Sequence, residues 1–142
     1  MKLEFNFKQS AVIPYRIING EIQILLITSV KKKKWILPKG FIEFNHSPFE
    51  SGKKEAFEEA GVLGTNETIE LGAFKVQKEI GICYVRVFSM EVVNILDDYP
   101  EKDLRKRKWF SIKEAVDNVS TPELANLINI LQKKLQSPEI NY

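Results

Sequence analysis

The spacing of residues 47–61 predicts a helix that carries three carboxylates, Glu55, Glu58 and Glu59, on one face at i, i+3 and i+4. No other segment restricts the chain as tightly. Side chains three and four apart on a helix are neighbours, and like charges there oppose helix formation by about 0.2–0.5 kcal/mol per pair. A bound cation would relieve that repulsion, so the face reads as a metal-binding surface. The alternative is a solvated acidic face on which Lys54 pairs with Glu58 and Glu50 with Lys54. Entry into the helix is specified by Ser47 as cap, Pro48 at the first helical position and Glu50 where a capping box places a carboxylate. Gly61 supplies the left-handed residue that ends it. From Pro48 to Ala60 such a helix is about 20 Å long at ~1.5 Å per residue. Phe49, Ala56, Phe57 and Ala60 are expected to face a sheet, and Gly52 to allow a close backbone approach.

Around this helix the pattern is mainly that of strands. Residues 10–18 and 21–28 are β-rich runs joined by Asn19-Gly20, a strong signal for an antiparallel hairpin. Trp35-Ile36-Leu37 reads as a short strand stopped by Pro38, followed by a loop with Gly40 and Asn45. Residues 68–74, 82–93 and 108–110 read as further strands, the second long enough to be central. Helices are expected over Ile112 to Asn118 and from Thr121-Pro122 onward, where Leu124, Leu127, Ile128, Leu131 and Leu135 form one stripe. Antiparallel pairing combined with helices at irregular intervals favours an α+β arrangement, a mixed sheet between helical layers.

At 142 residues, with 44% apolar and 28% charged residues, the chain suits one soluble folded domain. No apolar run reaches the ~18 residues that suggest a membrane span, and residues 1–7 do not form a secretory leader, so the cytoplasm is the expected location. Cys83, the only cysteine, is assigned to core packing within an apolar strand. The net charge of +2 is too small to announce a nucleic-acid binder, and the basic runs Lys31–Lys34 and Arg105–Lys108 lack interleaved aromatic residues. Taken alone, each run reads as a solvated loop.

The stretch from Gly40 to Val62 resembles the Nudix box, G-x5-E-x7-R-E-U-x-E-E-x-G-U with U a bulky apolar residue. Glu55, Glu58, Glu59, Gly61 and Val62 fall on register, and Ala56 fills the first apolar position. His46 stands where the family has a glutamate, and Lys54 where it has an arginine. Those two family residues brace the loop against the helix. Because Lys cannot make a bidentate fork and neutral His is no anion, the brace must be rebuilt or lost. Ile13-Pro14-Tyr15-Arg16, Leu25-Leu26-Ile27-Thr28, Trp35 to Gly40 and Arg107-Lys108-Trp109-Phe110 look like segments of the diphosphoinositol polyphosphate and diadenosine polyphosphate hydrolases of that superfamily.

The resemblance implies an α/β/α sandwich and a hydrolase of phosphoanhydride bonds in a nucleoside-linked or inositol-linked polyphosphate. It implies Mg2+, with Mn2+ as a substitute. Glu55, Glu59 and Glu58 are the implied metal ligands, with the backbone carbonyl of Lys39 or Gly40 assisting. Glu58 is the implied general base, although members of the family differ in which glutamate serves. Arg16, Lys39, Lys34 and Arg107 are the candidate substrate contacts. A small polyphosphate is the expected partner, with neither nucleic acid nor membrane, and the resemblance permits a homodimer. The competing class is a catalytically weak Nudix domain that binds a nucleotide or a partner as a sensor, motivated by His46 and Lys54. His46 itself reads as a loop residue, and Trp35 and Trp109 as packing elements.

Overall fold

The computed structural model describes residues 5–79 and 81–136. Strand β1 (Phe5–Ile18) turns through Asn19-Gly20 into β2 (Glu21–Thr28), both turn residues having positive φ (52° and 79°), as a type I′ hairpin requires. Then come β3 (Trp35–Ile36), β4 (Lys39–Phe41), helix α1 (Pro48–Glu55), a π-helical turn (Ala56–Ala60) and β5 (Val62–Gly64). The chain continues through β6 (Glu70–Lys78), β7 (Gly81–Ile95), β8 (Arg107–Ser111), α2 (Ile112–Asn118) and α3 (Pro122–Gln136).

The main path of the sheet runs β3-β2-β1-β7-β5, with β4 also on β1, β6 on β7 and β8 on β2. Among the described strand pairs, β1 and β7 alone run parallel, from Phe5 opposite Gly81 to Tyr15 opposite Glu91. All other pairs are antiparallel, so the sheet is mixed. Alternation along β1 divides the core. Val12 packs with Leu25, Ile27, Phe88, Met90, Ala56 and Ala60 beneath α1 and its π turn. Ala11 and Ile13 pack with Ile24, Leu26, Val85 and Val87 against Leu124, Leu127, Ile128 and Leu131 of α3. The result is an α/β/α sandwich, the arrangement in which a sheet buries both faces. Among the described residues, no helix is long and apolar enough to cross a membrane.

Three local features depart from the sequence pattern. Residues 39–41, expected as loop, are a strand, because the long β1 offers Gln9, Ser10 and Ala11 as ladder partners. Residues 5–9, which precede the strand expected over residues 10–18, extend β1 along β7; residues 1–4 lie outside the description. The helix does not stay α-helical to Ala60. The Gly61 amide reaches back to the carbonyls of both Ala56 and Phe57, which widens the last turn before Gly61 takes the left-handed conformation (φ 67°). That widening rotates Phe57 away from the sheet and leaves it 36% exposed, whereas Ala56 and Ala60 stay buried.

α1 lies unusually close to the sheet. A Cβ on Gly52 would stand 2.8 Å from Val12 Cγ1 and 3.1 Å from Ser10 Oγ, so glycine is required by contact rather than by backbone angle. The Ser10 hydroxyl donates to the Pro48 carbonyl, and Ser47 accepts from the Glu50 amide at 3.1 Å. Helix entry is therefore tied to the strand that carries β4.

Candidate metal and phosphate site

β4 and the π turn face each other across the loop 42–47. Glu59 is only 6% exposed, and its Oε1 accepts the Lys39 amide at 3.2 Å. Glu55 lies against Gly40: a Cβ there would come within 2.3 Å of the Glu55 carboxylate, so the absent side chain forms the cradle that admits it. The Glu59 carboxyl is close enough to Glu55 to influence its ionisation. Burial pushes the Glu59 carboxyl up to about 8, against the opposing pull of Arg105 and the Lys39 amide. Burial, followed by the charge of Glu58, raises Glu55 as well. A pair of buried carboxyls that resist ionisation is the environment a cation reverses.

The main chain distinguishes Lys39 from Gly40 as a carbonyl donor. Ile42 N bonds to Lys8 O, and Val12 N to Pro38 O, on either side of the Ser10–Gly40 pair. Hydrogen-bonded and non-hydrogen-bonded pairs alternate in an antiparallel ladder, so Gly40 turns its polar groups toward β1 and Lys39 turns its own away. The Lys39 amide accordingly meets Glu59, and the Lys39 carbonyl lies on the same outward edge. Gly40 contributes space instead of a carbonyl.

Glu58 stands apart from this pair. In an α-helix Glu58 and Glu59 would flank the direction of Glu55; here both lie in the widened π turn. Its carboxylate lies 3.5 Å from Lys54 Nζ, 31% exposed, and its main-chain carbonyl accepts the Glu101 amide at 2.9 Å. Among the described residues, no three His, Cys, Asp or Glu side chains converge tightly enough to enclose an ion unaided. The oxygen donors present suit Mg2+ or Mn2+, which are commonly held by one or two carboxylates with waters and substrate phosphates completing the shell.

The brace expected from the box is rebuilt with a different acid. Glu43 Oε1 lies 2.5 Å from Lys54 Nζ, and Glu43 Oε2 3.2 Å from His46 Nδ1. The Glu43 amide also donates to Ser51 Oγ at 3.0 Å, fixing the loop to α1. The hydrogen bond from Lys54 holds the Glu43 carboxyl below the usual range. Sequence reading missed Glu43 because it lies three residues before the box position; the available signal was a loop acid within reach of an otherwise unmatched Lys54.

The four candidate phosphate contacts are placed very differently. Lys39 adjoins the site, with Nζ 3.2 Å from Gln9 Oε1 on the α3 face of the sheet, and burial lowers its pKa, with Lys78 contributing. Lys34 lies in the exposed β2–β3 turn, where its amide donates to Ser29 Oγ. Arg16 is six residues along β1 from the position opposite Gly40, about 20 Å at ~3.3 Å per residue. There its guanidinium stacks 4.0 Å from the Trp109 ring centroid and donates to Gln23. Arg107 is turned inward: it donates to the carbonyls of Ala60, Gly61 and Leu96 at 2.9, 3.3 and 2.7 Å and stacks on Tyr99. Arg16 thus stacks on Trp109, and Arg107 caps the helix C-terminus, where orphan carbonyls attract a cation.

β2–β8 pairing brings the two basic runs together. Thr28 N bonds to Lys106 O, Lys106 N bonds to Thr28 Oγ1, and residues 31–34 form the turn directly after Thr28. Lys31–Lys34 and Lys106 are all exposed, beside Arg105, which approaches Glu59. Cys83 and the two tryptophans occupy packing positions: Cys83 is buried, and Trp35 packs edge-on to Phe110 at 4.9 Å.

A strand, loop and capped helix thus bring two carboxyl groups against a glycine cradle in an α/β/α sandwich. The family model for the NUDIX domain matches residues 7–131, and the chain belongs to that family. It is 33% identical over 135 residues to the Arabidopsis thaliana protein "Nudix hydrolase 17, mitochondrial", covering 89% of this chain and 74% of that one. With "Nudix hydrolase 12, mitochondrial" from the same plant it shares 28% identity over 129 residues, covering 76% of this chain but only 64% of the relative's length. Among solved structures, the Caenorhabditis elegans Ap4A hydrolase superposes with a TM-score of 0.73 at 18% identity, covering 92% of this chain and 99% of that one. The NUDIX domain of Shewanella oneidensis NrtR, crystallised with ADP ribose, gives 0.75 at 13% identity, covering 93% and 90% respectively. At these identities the two structures speak to the fold.

Proposed function

We propose that the protein is a divalent-metal-dependent Nudix pyrophosphohydrolase that cleaves a phosphoanhydride bond in a nucleoside-linked or inositol-linked polyphosphate. The observation that carries this reading is the Glu55–Glu59 pair, Glu55 half-buried against Gly40 and Glu59 buried and hydrogen-bonded to the Lys39 amide. Glu55, Glu59 and the Lys39 carbonyl would hold Mg2+ or Mn2+. When bound, the ion would neutralise phosphoryl oxygens and lower the pKa of water.

Glu58 has the geometry of a proton acceptor at the edge of the site. Its carboxylate is partly open to water and lies 3.5 Å from the Lys54 ammonium. Lys39, together with the exposed rim of Lys34 and its neighbours, supplies positive charge for phosphates on either side of the cleaved bond. This concentration of charge favours a substrate with several phosphates, and the name of the C. elegans relative points in the same direction for the dinucleoside class.

A catalytically weak nucleotide-binding module is the second reading. The replacement of two box residues by His46 and Lys54 favours it, and the Glu43 bridge weighs against it. Phosphorus NMR with excess Mg2+, then Mn2+, on diadenosine polyphosphates, ADP-ribose, nucleoside triphosphates and a diphosphoinositol phosphate separates the two. Selective loss of one substrate's anhydride signals, suppressed in Glu58→Gln, is the expected result. Binding without turnover under both metals would reject the hydrolase reading in favour of the module.

A further inference from the structure

Arg105 has a role that its place in a basic run does not suggest. It precedes β8 and is only 15% exposed, with its guanidinium shared among three acceptors. Nε is 3.2 Å from Glu101 Oε1, Nη1 is 3.2 Å from the Thr28 carbonyl, and Nη2 is 3.7 Å from Glu59 Oε2. The Glu59 carboxylate is thus divided: Oε1 is held by the Lys39 amide and Oε2 faces Arg105. The first two contacts of Arg105 are hydrogen bonds, whereas the third is an ion pair beyond hydrogen-bond length. The guanidinium is anchored by the loop and strand and merely leans on the metal-site carboxylate.

We propose that Arg105 is a built-in cation at the metal site, which faces Glu59 Oε2 when no metal is bound and whose contact with Oε2 must give way when a divalent cation arrives. This rests on the metal site described above. The anchors make the exchange local, since Arg105 can lose Glu59 and still keep Glu101 and Thr28. They also connect metal occupancy to the segment before β8, because Glu101 is itself fixed to the π turn through its amide on the Glu58 carbonyl.

Electrostatics gives the exchange its sign. A fixed positive charge beside Glu59 opposes any second cation there, and it opposes a divalent ion more than the single proton that ion displaces. Removing Arg105 therefore favours metal over both the empty and the protonated carboxylate. A purely structural arginine would have the opposite signature, since disordering the site on its loss would weaken metal binding.

The test is calorimetric titration of the whole chain with MnCl2 alone, comparing wild type with Arg105→Gln, alongside thermal melts. Arg105→Gln should bind Mn2+ roughly tenfold more tightly, with a lower melting temperature in EDTA and a larger rise on adding Mn2+. Unchanged or weaker binding by that variant overturns the proposal. Failure of wild type to bind metal would instead reject the metal-site reading itself. If Arg105→Gln does not fold, nitrogen-edited NMR of wild type titrated with MgCl2 decides. The Arg105 Nε–H signal, assigned by its loss in Arg105→Lys, should move in step with metal saturation; a signal that stays fixed overturns the exchange.

Discussion

Lys54 Nζ and Glu43 Oε1 are 2.5 Å apart, joining α1 to the loop that follows β4 with an acid from outside the box position. Both side chains are well exposed, so the pair adds little to global stability. Its effect is to fix the loop relative to Glu55 and Glu58. Glu43→Gln should leave the thermal midpoint almost unchanged while lowering kcat roughly tenfold through misplaced catalytic groups. Restoring the family's residues with His46→Glu and Lys54→Arg in that background should recover most of the rate. A Glu43→Gln enzyme with wild-type kcat would deny the bridge any positioning role.

Gly40 and Glu55 are in a steric relationship that a single methyl group breaks. Any Cβ at position 40 overlaps the Glu55 carboxylate, and Glu55 cannot retreat without leaving Glu59. Gly40→Ala should cost about 1–3 kcal/mol in denaturant unfolding, typical of overpacking, and weaken Mn2+ binding by more than tenfold. Equal metal affinity in the variant would show that Glu55 need not lie where Gly40 admits it.

The architecture was legible wherever local chemistry is decisive. Asn19-Gly20 determined the hairpin, Ser47-Pro48 and Gly61 bounded the helix, and the leucine stripe of α3 identified its buried face. The box register likewise pointed to Glu55 and Glu59. What escaped depends on contacts distant in sequence. β4 exists because β1 is long enough to pair with it, and Arg107 faces inward because β8 lies beside β2 and brings it beneath the helix end. The π turn was hidden because no propensity separates it from an α-helix, yet it is the segment that carries Glu58 and Glu59. Glu43 and Arg105 became visible only once the loop and β8 were in place.

Arg107 offers a direct separation of structure from binding. Its guanidinium satisfies three carbonyls at the junction of the π turn with Leu96. Arg107→Lys cannot reach all three, and should destabilise the fold by about 2–4 kcal/mol in urea unfolding, given the strength of charge-assisted hydrogen bonds. At a temperature where the variant is fully folded, KM should stay within about twofold of wild type, since its charge points away from substrate. A large rise in KM with unchanged stability would return Arg107 to the phosphate contacts.

Glu59 makes the metal-free protein and its metal complex respond oppositely to pH. Its carboxyl is raised from 4.5 to about 8, so the folded state retains a proton that the unfolded chain releases. The stabilisation from that retained proton is complete below the unfolded value and is lost as pH rises toward about 8. In EDTA, the melting temperature should therefore contain a contribution that falls between pH 5 and pH 8.5, within the range set by this shift. With Mn2+ the ion must displace the proton, so apparent affinity should rise over the same interval and level off above about 8. Melts in EDTA and in MnCl2 should diverge steadily as pH increases, and Glu59→Gln should abolish the divergence. Parallel curves for the wild-type protein would mean that Glu59 does not exchange its proton for the metal.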